Sequence, residues 1–98
     1  MKRIIEFYKE NNNYIFEEKN GKKIEIDAKE KILNGLELYN VFFKDYSIED
    51  TFDIVDKTTD DIKKNDKMCL AIYIKVKELF KNIEDTLKSE LKSQNNTQ

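Results

Sequence analysis

The amino-acid sequence predicts an α+β fold: a three-stranded antiparallel β-meander at about 3–28, then three or four α-helices at about 28–46, 48–56, 59–64 and 67–92. Three observations lead there. The first 28 residues alternate apolar and polar side chains with the two-residue period of half-buried strands. From Ile32 onward, apolar residues recur instead at three- and four-residue steps. Helix-starting residues (Asp27, Ser47, Asn65-Asp66) stand ahead of those runs.

RIIEFY, YIFEE and KKIEIDA are the three strands. The turn between the last two follows from register. A two-residue Asn20-Gly21 loop would set Phe16 against Glu25 and Tyr14 against Asp27. A three-residue loop, Lys19-Asn20-Gly21 with Gly21 left-handed, pairs Phe16 with Ile24, Tyr14 with Ile26 and Glu18 with Lys22. A one-residue slip exchanges the two faces, so the hydrophobic pattern selects the longer loop. One face then carries Ile5, Phe7, Tyr14, Phe16, Ile24 and Ile26. The other keeps Ile4, Glu6, Ile15, Glu17, Lys23 and Glu25 nearer water. Glu10-Asn11-Asn12-Asn13 is an ordinary polar turn.

Asp27-Ala28-Lys29-Glu30 caps the first helix, whose stripe is Ile32, Leu36, Tyr39, Phe43 and Tyr46, widened by Leu33 and Phe42. Gly35 is its weak point, costing about 1 kcal/mol against alanine inside a helix. A break there followed by a strand LELYNVFF is the alternative. Ser47 caps the second helix, with Ile48, Phe52 and Val55 as its stripe. A short piece at 59–64 follows. Asn65-Asp66 opens the longest helix, whose beginning, MCLAIYI, is apolar all round and calls for enclosure. Val76, Leu79, Phe80, Ile83, Leu87 and Leu91 continue it as one stripe, with Glu84 and Lys88 outside. CLAIYIKV also alternates, which keeps a strand open at 69–76. Residues 1–92 make a single domain and 93–98 read as a disordered polar tail.

Composition excludes more than it identifies. The 98 residues include no histidine, one cysteine, two glycines and no proline. The usual general base and the commonest metal ligand are therefore missing. A thiolate zinc site and a glycine-rich phosphate loop are missing too. Cys69, within an apolar run, reads as a small buried hydrophobe. Asp56-Lys57-Thr58-Thr59-Asp60-Asp61 spaces oxygen ligands like a calcium loop, but Asp61 and Lys67 stand where glycine and glutamate are required. The expectation is a non-enzymatic protein without metal or cofactor. No apolar run approaches the roughly 18 residues of a membrane span, and MKRIIEFYKE lacks the apolar core of a signal peptide. Seventeen lysines to one arginine, with ten asparagines and twelve isoleucines, suit an AT-rich coding sequence. That places the chain in the cytoplasm of a low-GC bacterium or its infected host cell.

Residues 47–64, SIEDTFDIVDKTTDDIKK, resemble in length and in part of their pattern the helix-turn-helix of bacterial regulators and sigma factors. Ile48, Ile54, Val55 and Ile62 fall at that motif's apolar positions. Phe52 stands where a small residue is usual, Asp56 where glycine is, and Lys57 where an apolar residue is. The resemblance implies a transcriptional regulator, yet its recognition helix would begin Thr59-Asp60-Asp61 and aim carboxylates at phosphates. Direct nucleic-acid binding is disfavoured on that ground.

Charge is the remaining signal. Residues 1–31 carry net +1, residues 32–62 net −6 and residues 63–98 net +3. The imbalance lies in Asp45, Glu49, Asp50, Asp53, Asp56, Asp60 and Asp61. On a helix Glu49, Asp53 and Asp56 share a stripe, and Asp53 and Asp56 approach its negative end. A local rule broken without compensation points to function. The expected function is protein binding: an acidic surface meets a partner's cationic groove, its carboxylates standing in for phosphates. The sharpest version is a phage or mobile-element inhibitor of a host nucleic-acid-handling defence enzyme, of restriction or CRISPR type. The plain alternative is a solvated acidic face. A second candidate surface is the stripe Ile83, Leu87 and Leu91, on which another copy would pack to form a homodimer, with core packing inside one chain as its alternative. An oligomer that holds a small ligand is the third reading.

Overall fold

The computed structural model describes residues 1–27 and 35–96. β1 (Lys2–Glu10), β2 (Asn13–Glu18) and β3 (Lys23–Asp27) form an antiparallel meander. Phe16 faces Ile24 and Tyr14 faces Ile26, and Gly21 sits at φ +96°, as the hydrophobic register requires. The meander is not the whole sheet. A fourth strand, β4 (Thr51–Asp56), lies parallel to β1, giving the mixed order β3-β2-β1-β4.

β4 replaces the helix expected at 48–56. Ile48, Phe52 and Val55 have helical spacing, but TFDIVD also alternates and is rich in β-branched residues. In the strand, Phe52 and Ile54 lie opposite Arg3 and Ile5 on the helix-covered face, while Asp53 lies opposite Ile4 on the other. Asp53 and Asp56 therefore project to opposite faces, which removes the like-charge stacking that a helix would impose. With β4 in place, residues 47–64 are a turn, a strand and a short helix, so the two-helix geometry of a helix-turn-helix is not formed there.

The cap at Asp27–Glu30, Ile32 and Leu33 lie at or within the edge of the undescribed stretch, so the first half of the 28–46 helix falls outside the described residues. Its second half is helical: α1 (Gly35–Leu38) continues as a π turn over Tyr39–Phe43. It ends at Phe43, short of the expected 46, and no strand forms at 36–43. A π turn brings residues five apart onto one side. Leu38, Phe42 and Phe43 are accordingly all buried. α2 (Asp60–Asn65) starts from Thr59, whose hydroxyl accepts from the Ile62 N–H at 3.3 Å.

α3 runs from Lys67 to Asn96, so 69–76 is helical and the helix continues four residues into the stretch read as a tail. Cys69, Val76 and Phe80 are buried on its inner side, with Ile72, Tyr73, Leu79, Ile83 and Leu87 packed against the core. The sheet contributes Ile5, Phe7, Tyr14, Phe16, Ile24, Ile26 and Ile54. Aromatic rings join the layers: Phe7 lies 4.5 Å from Phe16 and 5.4 Å from Tyr73, and Phe80 lies 5.1–5.4 Å from Phe52, Phe43 and Phe42. Ile4, Ile15 and Val55, on the far side of the sheet, are not part of this cluster, yet Ile15, expected nearer water, is buried at 4% exposure in the middle of the sheet.

The expected enclosure of MCLAIYI is not met. Met68, Leu70 and Ile74 are 48%, 64% and 46% exposed. A helix lying on a sheet can bury only one side, and at 100° per residue these three turn away from Cys69 and Val76.

Candidate protein-binding surfaces

Four of the seven acidic candidates meet a cation of the same chain. Asp45 Oδ2 lies 2.5 Å from Lys22 Nζ and its Oδ1 3.1 Å from Arg3 Nη1. The hydrogen bond from Lys22, with Arg3 beside it, holds the Asp45 carboxyl below the usual range. Asp50 is buried 3.6 Å from Arg3 Nη1 and accepts from the Ser47 N–H. Asp53 Oδ2 lies 3.5 Å from Lys2 Nζ. Asp56 Oδ1 accepts from the Thr58 N–H at 2.9 Å and its hydroxyl at 2.6 Å, and Lys63 Nζ lies 3.6 Å from Oδ2. Burial works to raise the Asp56 carboxyl, and these bonds outweigh it and hold it low. Glu49, Asp60 and Asp61 stay exposed, and among the described residues no cation is set against their carboxylates, the N-terminal ammonium donating instead to the Glu49 backbone carbonyl. The structure thus brings the seven residues to a strand, two turns and a helix start, not to one helical ridge.

Arg3 is the centre of this neutralisation, and composition gave it no special place. It is buried, grips Glu18 through Nε and Nη2 at 2.8 Å each, and lies 4.6 Å from the centre of the Phe52 ring. Strand alternation was the available signal, since it puts Arg3 and Glu18 on the helix-covered face, where an unpaired charge is costly.

A second polar cluster ties the start of α3 to the sheet. Asp66 accepts from Lys9 Nζ at 2.7 Å, from the Tyr14 hydroxyl, and from the Met68 N–H at 3.0 Å. Burial works to raise the Asp66 carboxyl, but the bonds from Lys9 and Tyr14 hold it below its ordinary value. Cys69 is buried beside Thr58, and burial pushes its thiol up, away from the reactive thiolate.

Ile83, Leu87 and Leu91 are half-buried. Ile83 and Leu87 pack on the core, and a Cβ at Gly35 would lie 3.8 Å from Ile83 Cδ1. Ile83 and Leu87 also line one side of a groove of about 410 Å³ between Tyr39 and α3. Much of this stripe is therefore used inside the chain.

The large apolar side chains left uncovered on α3 are at its other end. Leu70 and Ile74, with Ala71 between them, point outward, and Met68 flanks them. Lys67, Lys75, Lys77 and Lys81 are exposed on the same stretch against a single exposed carboxylate, Glu78. An unbroken apolar run points to the interior, so nothing in the sequence marks these side chains as a surface.

No described helix is long and apolar enough to cross a membrane. No family model matches the chain, and neither a characterised protein nor a solved structure resembles it significantly.

Proposed function

We propose that the chain is a small non-enzymatic protein-binding module that docks through the outward side of the first turns of α3. The exposure of Leu70 (64%), with Met68 and Ile74 about half exposed beside it, carries this reading. Burying one such side chain stabilises an assembly by about 1.5–3 kcal/mol, and contiguous exposed apolar residues mark interaction sites. Four lysines around them favour a partner with an apolar seat and an acidic rim.

A second reading retains the acidic docking surface, narrowed to Glu49, Asp60 and Asp61, whose carboxylates are exposed. Those three would face a cationic groove, as in an inhibitor of a nucleic-acid-handling defence enzyme from a phage or mobile element. Capture of a partner from native-host lysate by three forms of the protein separates the two. Leu70→Asp/Ile74→Asp should abolish capture with unchanged circular dichroism, and Lys67→Glu/Lys77→Glu should weaken it steeply as salt rises. Asp60→Lys/Asp61→Lys should leave it intact. Loss with the aspartate variant and retention with the leucine–isoleucine variant would transfer the function to the acidic surface.

A further inference from the structure

β4 is an edge strand, and its outer side is already occupied. The Thr51 N–H donates to the Met1 carbonyl at 3.0 Å and the Lys57 N–H to the Phe7 carbonyl at 2.7 Å. Along a strand these directions alternate, so the backbone groups of Phe52, Ile54 and Asp56 point away from β1. Such a row is a template for another chain's strand. Two of its groups are engaged by α3. The Phe52 N–H donates to Glu84 Oε1 at 2.9 Å, and the Tyr73 hydroxyl donates to the Ile54 carbonyl at 3.0 Å.

The chemistry of these contacts copies a β-ladder. A neighbouring strand would offer an oxygen to the Phe52 N–H and a hydrogen to the Ile54 carbonyl. Glu84 and Tyr73 offer the same, from positions about 16 Å apart along the helix that converge on groups two residues apart. Glu84 is further fixed by Lys88, one turn on at 3.9 Å. Beside these contacts a groove of about 370 Å³, floored by Phe52, Ile54 and Phe80, runs between strand and helix. The opposite edge is protected differently: β3 is five residues long and carries Lys23, Glu25 and Asp27.

We infer that Glu84 and Tyr73 are edge guards: they fill the places of a fifth strand and keep β4 from pairing with β4 of a second copy. Two copies would otherwise join edge to edge about a two-fold axis, since identical edges are self-complementary. The association state of the full chain, followed by sedimentation over a concentration series, tests this. Glu84→Ala/Tyr73→Phe should self-associate at least tenfold more tightly than the unaltered chain, with amide exchange at Ile54 slowing as the dimer forms. Glu84→Gln should behave like the unaltered chain, because its amide oxygen still accepts from Phe52. Tyr73→Phe alone keeps the ring stacked on Phe7 and removes only the hydroxyl, so it should associate measurably more tightly even if the double variant fails to fold. Unchanged association in Tyr73→Phe, or Glu84→Gln associating as tightly as Glu84→Ala, overturns the inference.

Discussion

Between Asp45 and Asp56 the chain has five carboxylates and no cation; between Lys67 and Glu78 it has eight apolar residues and three lysines. Composition marks the first stretch as the exposed, functional one and the second as core. The structure revises both readings in part. Asp45, Asp50, Asp53 and Asp56 are met by Lys22, Arg3, Lys2 and Lys63, while Met68, Leu70 and Ile74 remain in water. A local excess of charge says little when three of the four cations come from the meander some 20 to 50 residues away. A local excess of apolar residues says little when one helix side is all that a sheet can cover.

Variants can break or sharpen this contrast, beginning with the largest effect. Phe80→Ala, on the covered side of α3, should lower unfolding stability by about 3–5 kcal/mol, whereas Leu70→Ala, on the open side, should stay within about 0.5 kcal/mol in the same urea titration. Arg3→Ala should cost about 3 kcal/mol, because it leaves Glu18 buried without its cation and Asp50 with the N-terminal ammonium alone. If that loss were negligible, the carboxylates of 45–56 would not depend on internal neutralisation.

The pH profile comes next. Asp45, Asp56 and Asp66 are held below their ordinary value in the folded chain, so they bind fewer protons there than when unfolded. Their contribution is present above about pH 4 and is lost as pH falls through their lower folded values. Tyr8 and Tyr46 are pushed up to about 12, Tyr8 chiefly by its hydrogen bond to Glu17 and Tyr46 chiefly by burial. Their contribution is present below pH 10 or so and disappears as pH rises through 12. Thermal unfolding across pH should therefore decline at both ends, and Asp66→Asn should flatten the acid limb. The smallest effect belongs to Asp53→Ala, whose exposed pair with Lys2 should alter stability by no more than about 0.5 kcal/mol.

The meander was legible because two-residue alternation and register leave one consistent answer: Phe16 cannot face Ile24 unless Gly21 turns left-handed. The start of α3 was legible from Asp66, which accepts the Met68 N–H as a cap does. β4 was not, since Phe52 and Val55 satisfy a helical step as well as a strand's, and its partner β1 lies 49 residues earlier in the Lys2–Thr51 pair. Among the candidate sites, exposure of Leu70 and Ile74 depends on where the sheet ends relative to the helix. No local window contains that information.

That β1–β4 pairing also sets an order of events for folding. The meander closes only short loops, so it should form early, whereas β4 must find β1 across most of the chain. Once there, it is held by Phe80, Tyr73 and Glu84, all from α3. Strand and helix should therefore lock together in one late step. A chain shortened before Tyr73 would lose all three and should keep its hairpins while releasing β4.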